Sequence, residues 1–217
     1  MSRLFVVVEG DSEERFVRGA LLRHFPHLHP VAIKVETGRD AEGGVHRGGG
    51  DWTKWLADIR RTLGSPGDRV VTTMFDLYGL PRNFPGYQPE SRISDTVAYA
   101  DALEARMHAE VGDSRFIANV VRHEFETLVL AALPQLQSLL APTERARLEP
   151  LKELALEAGP EEINCGRSTA PSKRLQQARL SYSKLSHGVP AVQLAGIAKL
   201  SQSCPRFRAW IEKLGKI

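Results

Sequence analysis

Cysteine is nearly absent: Cys165 and Cys204 are the only two in 217 residues, and neither has a cysteine or histidine partner at zinc-site spacing. Disulfide staples and a structural zinc ion are therefore not what holds this chain together. Long apolar runs are also missing. No stretch reaches the eighteen residues a membrane-spanning helix needs. The early run Leu4 to Val8 stops at Glu9 and lacks a small-residue cleavage site, so it reads as a buried strand rather than a secretory signal. A cytoplasmic location is expected. Neither internal repeats nor low-complexity linkers occur, although Pro160 to Ser172 has the composition of a flexible connection. Charge of one sign is not in large excess either: the formal net charge is +3, which permits nucleic-acid binding without demanding it.

What is present fits a water-soluble globular chain with 42% apolar and 25% charged residues, long enough to bury a core unaided. Leu4 to Val8 is continuous and β-branched, as in a strand covered on both faces of a parallel sheet. Helical periodicity follows through Phe16, Val17, Ala20 and Leu21, with Asp11 or Ser12 as cap and Glu13 and Glu14 in the first turn. Further strands are expected at Val31 to Val35, Arg69 to Phe75 and Phe116 to Val121. Helices are expected at Trp52 to Leu63, Ser94 to Glu110 and Leu128 to Leu140, with irregular chain at Gly38 to Gly50 and at residues 81 to 91. Alternation of strand and helix predicts an α/β fold, a doubly wound, mainly parallel sheet flanked by helices. We expect this domain over residues 1–140 and a helical, basic C-terminal extension packed on it over 141–217.

Three of the strands end in acids: Glu9 after the first, Asp76 after the third, and Glu124 and Glu126 after the fourth. Open parallel sheets form their ligand sites at the carboxyl ends of strands, so these side chains can meet. Crowded carboxylates repel unless a cation neutralises them, and hard oxygen donors select Mg²⁺, Mn²⁺ or Ca²⁺ over zinc. Glu13, four residues after Glu9, lies where the turn enters the helix and can return its carboxylate to the strand end. The ordinary alternatives are a first-turn helix residue for Glu13, a turn cap for Asp76 and a packed imidazole for His123. Later in the chain, Arg167, Lys173, Arg174, Arg179 and Lys184 gather in a segment with no acid between Glu162 and Glu212. With Arg47 and His46 in the glycine-rich loop, these cations are candidates for phosphate contacts, or else a solvated face.

Several stretches taken together resemble a known group: Val8 to Glu14, Met74 to Pro81, Arg122 to Glu126 and Ala170 to Leu175. Gly43, Gly44, Asn164, Tyr182 to Lys184, His187, Gly188, Cys204 and Pro205 add to the pattern, which spans nearly the whole chain. In these residues the sequence is similar to Toprim-domain proteins, and among them to the bacterial domain-of-unknown-function family 4276. The resemblance implies a Toprim-like fold, in which a glutamate after the first strand and aspartates after a later one organise Mg²⁺ for phosphoryl transfer. Glu9 and Asp76 match these positions, and Glu13 matches the second acid of a Glu-Gly-x-Thr-Glu pattern in the overcoming-lysogenization-defect branch. The usual Asp-x-Asp pair is replaced here by Asp76, Leu77 and Tyr78. Glu124 or Glu126 then supplies the absent ligand, or metal binding is weaker.

The expectation is thus a Mg²⁺- or Mn²⁺-dependent nuclease on DNA or structured RNA. Glu9, Glu13, Asp76 and Glu126 are the expected ligands, with His123 or Glu124 in proton transfer. Lys173, Arg174, Arg179, Lys184 and Arg47 are the expected nucleic-acid contacts. The resemblance also implies an antiviral-defence setting with an ATPase partner. The competing expectations are a non-catalytic binding subunit and a phosphotransferase or phosphatase on a small phosphate ester.

Overall fold

The structure, a computed structural model, describes residues 3–35, 50–163, 169–178 and 180–217. Its centre is a sheet of β1 (Arg3–Val8), β2 (Val31–Lys34), β3 (Arg69–Asp76), β4 (Phe116–Ile117) and β5 (Val120–Val121). The order is β2-β1-β3-β4, with β5 also on β3, and every pairing is parallel. In β1 successive side chains point to opposite faces. Leu4, Val6 and Val8 enter one apolar core, and Phe5 and Val7 enter the other. Burial on both sides is what made this strand a continuous apolar run instead of an alternating one.

The core that receives Phe5 and Val7 is closed by α2 (Trp52–Gly64) and α3 (Thr96–Val111), through Trp55, Ile59, Leu103 and Met107. Side chains of Asp51 and Asp95 cap these helices, Asp51 accepting from Thr53 N–H at 2.8 Å and Asp95 from Val97 N–H at 2.8 Å. The opposite core is covered by α1 (Asp11–Phe16), which runs on through a π-helical turn at Val17–Leu21 and a last turn at Leu22–His24. It is also covered by α4 (Glu126–Ala131) and α5 (Leu133–Leu139) and, after the short α6 (Pro142–Arg145), by α7 (Glu149–Ala158), α8 (Pro171–Gln177), α9 (Val189–Ser203) and α10 (Pro205–Leu214). Leu151, Leu175, Leu200 and Trp210 from this late part share one core with Leu4 and Val6. Trp210 also donates its indole N–H to Thr72 Oγ1 at 3.0 Å, tying α10 to β3.

The α/β class and the parallel sheet are as expected; four local readings differ. The segment expected as one strand from Phe116 to Val121 is two, because Asn119 leaves the ladder. Its N–H donates to Thr73 Oγ1 at 3.0 Å and its amide to the Thr73 carbonyl at 3.0 Å. The expected single helix over Leu128 to Leu140 is divided at Ala132, since Pro134 has no N–H and its ring opposes the carbonyl four residues back. Neither Asp11 nor Ser12 caps α1: Gly10 takes that position in extended backbone, without a side-chain bond. The later helix begins at Thr96 rather than Ser94, where Asp95 caps it. Among the described residues no helix is long and apolar enough to cross a membrane.

Candidate functional site

Sheet order reverses at β1. The chain goes from β1 outward to β2 on one side, then returns to place β3 on the other. The carboxyl ends of β1 and β3 therefore flank the switch point, where open α/β sheets bind ligands. Register brings Val8 level with Met74, so Glu9 leaves β1 beside the end of β3. Its Oε1 accepts the backbone N–H of Asp76 at 2.7 Å. On the far side, Asp76 pairs with Val121, and Tyr78 N–H continues the ladder to the His123 carbonyl at 3.1 Å. That pairing delivers residues 122 to 126 to the same edge, with Glu126 in the first turn of α4.

Glu13, Asp76 and Glu126 converge on one point, and the Lys184 ammonium stands there. Lys184 Nζ is 3.5 Å from Glu13 Oε1, 3.8 Å from Asp76 Oδ2 and 3.3 Å from Glu126 Oε2, with the Phe125 ring 5.2 Å away. Lys184 begins a π-helical turn, Lys184–Gly188, whose cap Ser183 accepts from Ser186 N–H at 3.3 Å. This turn points the lysine inward, among the carboxylates.

The electrostatics are lopsided: Glu13, Asp76 and Glu126 surround one ammonium, and Glu9 adds a fourth carboxyl group against Asp76 N–H. Glu13 and Glu126 are only 4% and 5% exposed. Burial raises the Glu9 pKa to about 7 despite the Asp76 N–H, and Glu13 adds to the rise. Burial likewise holds Asp76 well above the usual carboxylate range, against Lys184 and with help from Glu13, Glu9 and Glu126. Glu126 is raised by burial too. For Lys184, burial alone would lower the pKa, but Asp76, Glu126 and Glu13 outweigh it and the net shift is upward. Asp76 Oδ1 is buried without a hydrogen-bond partner, and Glu13 Oε1 has only the Lys184 ammonium at 3.5 Å, costly states for carboxylate oxygens.

Among the described residues, no three acidic, histidine or cysteine side chains stand as a ready ligand shell. The donor chemistry nevertheless fits a hard divalent cation: the donors are all oxygen, carboxyl groups outnumber the one ammonium among them, and Asp76 Oδ1 is buried without a hydrogen-bond partner.

The remaining expected residues separate. Glu124 turns to α8, its Oε1 accepting from Ser172 N–H at 2.5 Å. Glu14 pairs with Arg18 at 2.7 Å and Lys34 at 3.0 Å. Lys173 is exposed on α8 and Arg174 is half-buried beside it. Arg47, His46, Gly43, Gly44, Asn164, Cys165, Arg167 and Arg179 lie outside the described residues.

His123 has a constrained position, with φ +67° and 1% exposure. Its Nε2 lies 2.9 Å from the Glu161 carbonyl, which can only accept, so Nε2 carries the proton and Nδ1 accepts from the Tyr78 hydroxyl at 3.0 Å. Burial pushes its pKa down to about 4. A neutral ring with both nitrogens engaged holds Tyr78 in place, and this geometry gives no support to proton transfer by His123. Between about 4 and the ordinary 6.5, the unfolded chain binds a proton that the native ring refuses. Stability from this residue is therefore complete above 6.5 and lost as pH falls through about 4. Glu9 runs oppositely: its contribution is complete below the ordinary 4.5 and lost as pH rises through about 7. The wild type must thus be compared with His123→Asn, which tolerates the left-handed backbone. In urea unfolding at pH 4 and pH 7, the stability difference between the two should change by up to about 3 kcal/mol. Parallel pH curves would contradict the assignment.

Two residues outside the expected ligand set also shape the site. A Cβ on Gly79 would lie 2.7 Å from Glu9 Oε2, so glycine lets that carboxylate seat against the turn after β3. Gly79→Ala should keep the fold, displace Glu9 from Asp76 N–H and weaken Mn²⁺ affinity about 10- to 100-fold by calorimetry, the scale for ligand-orienting contacts. Unchanged affinity would show that Glu9 takes no part. Tyr182 buries its hydroxyl against Gly188, where an added Cβ would meet it at 2.5 Å. Burial, with Glu126 and Glu124 nearby, raises this phenol far above its ordinary range.

Fold and site together define an open parallel α/β protein with a buried acidic centre at its switch point. The chain belongs to the family described as domain of unknown function DUF4276, whose model matches residues 8–215. A search of curated proteins finds no match. Among solved structures, the chain is similar to the C-terminal region of the Burkholderia pseudomallei OLD protein. Identity is 16%, coverage 100% of this chain and 98% of that one, and the TM-score 0.47. It is also similar to the C-terminal region of the Xanthomonas campestris pv. campestris OLD protein, with 15% identity, 100% and 99% coverage and a TM-score of 0.39. At these values the likeness bears no functional argument.

Proposed function

We propose that the chain is a divalent-cation-dependent nuclease of Toprim type, hydrolysing phosphodiester bonds at the acidic centre. The observation that carries this reading is the gathering of Glu13, Asp76 and Glu126, from three separate strand ends, around a single ammonium, with Glu9 held against Asp76 N–H beside them. A purely structural ion pair has no use for so many buried carboxyl groups. Glu9, Glu13, Asp76 and Glu126 would hold Mg²⁺ or Mn²⁺, which when bound supplies Lewis-acid polarisation and lowers the pKa of water. The chain's own contributions are positional and electrostatic. Asp76 N–H fixes Glu9, and Ser172 N–H fixes Glu124 at the rim, where its carboxylate can take a proton. Lys184 balances the carboxylates in the cation-free state, and its ammonium is suited to a phosphoryl oxygen once they turn to the metal. The test is cleavage of plasmid, single-stranded DNA and transfer RNA with Mg²⁺ or Mn²⁺, against EDTA and against Asp76→Asn. Metal-independent cleavage, or an Asp76→Asn protein as active as wild type, would sink the reading.

A second reading, a non-catalytic nucleic-acid-binding or ATPase-partner subunit, is favoured by two observations. Lys184 already stands among the carboxylates, and Tyr78, bonded to His123, occupies the position of the second aspartate. Calorimetric titration with Mn²⁺ separates the two readings: a saturable site supports the nuclease, and its absence supports the binding subunit. The ATPase partner itself remains a proposal resting on the sequence resemblance.

A further inference from the structure

Next to the acidic centre is a cavity of about 1280 Å³. It adjoins the centre through Tyr78, two residues after Asp76, and Glu124, two before Glu126. Its walls carry two more tyrosines, Tyr87 and Tyr99, and the cations Arg82 and Lys173. The volume exceeds the ~300–1,000 Å³ usual for small-molecule pockets. Arg122 also faces it, but both of its terminal nitrogens pair with Glu162, so its charge is spent internally. Arg82 and Lys173 are exposed and, among the described residues, neither forms an ion pair; Lys173 bonds only Gln176, at 3.3 Å.

The rings are held in place. Tyr78 stacks on His123 with centroids 5.5 Å apart, and the Tyr99 hydroxyl accepts Gln88 N–H at 2.7 Å, pinning the loop that carries Tyr87. Tyr87 itself is 36% exposed, high for a large aromatic side chain in a cavity wall. Unpaired cations attract phosphates but give no reason for aromatic walls. Base faces do, and a continuous duplex hides its base faces in the stack. We propose that this cavity binds an unpaired nucleotide strand, DNA or RNA, and so sets single-stranded or frayed nucleic acid as the substrate class of the acidic centre. The substrate part of this inference rests on the nuclease reading; the binding part does not.

The test measures binding in EDTA by fluorescence anisotropy, using a labelled 12-nucleotide single strand as DNA and as RNA, its blunt duplex, and an abasic strand of equal length. Wild type should bind the base-bearing strand about tenfold or more tighter than the abasic strand or the duplex. Tyr87→Ala should lose about tenfold on the base-bearing strand, the scale of one stacking contact, and stay within about twofold on the abasic one. Tyr87→Phe should restore binding, and exposure of the side chain makes either variant safe for folding. Equal binding of base-bearing and abasic strands, or of single strand and duplex, overturns the proposal. Cleavage with Mn²⁺ separates the failures. No cleavage of any polynucleotide, with stacking-dependent binding intact, sinks the nuclease reading alone. Equal cleavage of single strand and duplex, insensitive to Tyr87→Ala, sinks the strand-binding cavity and leaves the nuclease standing.

Discussion

Asp76→Asn should lower metal-dependent cleavage by about 10³-fold or more while leaving the metal-free protein as stable as wild type, or more so by about 1 kcal/mol. At this chain length that gain is a rise of roughly 2–4 °C in the unfolding midpoint. The opposite signs follow from one cause. Burial holds the Asp76 carboxyl far above its ordinary range, Glu13, Glu9 and Glu126 add repulsion, and one oxygen is buried without a partner. An amide keeps the shape, removes the ionisable group and gives up a hard oxygen donor. Thermal melting in EDTA and cleavage assays on the same preparation check both halves. A variant that loses activity and stability together would mark Asp76 as a structural residue.

Lys184→Met should do the reverse to stability. It leaves buried carboxylates without their cation, which costs about 3–5 kcal/mol for a fully buried pair. The Lys184 side chain keeps 31% exposure, so a loss of about 2–3 kcal/mol is expected in EDTA. Mn²⁺ should recover most of that loss, because the divalent ion then supplies the missing charge without competition for the same oxygens. Calorimetry should accordingly show tighter Mn²⁺ binding by the variant than by wild type. Equal stability with and without Mn²⁺, and equal affinity in both proteins, would mean that ammonium and ion do not share a position.

What the sequence made legible is the part governed by short-range chemistry. A β-branched run ending in an acid reads as a buried strand with a carboxylate at its end, and Glu9 and Asp76 stand there. Glu13 was legible because one helical turn returns it to its own strand. Lys184 was not: charge counting grouped it with the basic segment, and its inward course depends on a π-helical turn packed far from β1 in sequence. Gly79 was equally hidden, since its role is set by contact with Glu9, 70 positions earlier. The breaks at Asn119 and Ala132 are masked in the sequence for different reasons. The first is a side-chain bond across the sheet to Thr73, and the second a proline effect overridden by strong apolar periodicity. In the sequence Tyr78 marks only a missing aspartate, whereas in the fold it bonds His123 and lines the wall of the neighbouring cavity.

The decisive measurement is anomalous scattering from a crystal soaked in Mn²⁺. A peak bounded by carboxylate oxygens of Glu13, Asp76 and Glu126 at about 2 Å, with Glu9 in its shell and Lys184 moved aside, is the predicted result. A well-ordered crystal with no peak there, and with Lys184 still touching the same three side chains, would contradict it.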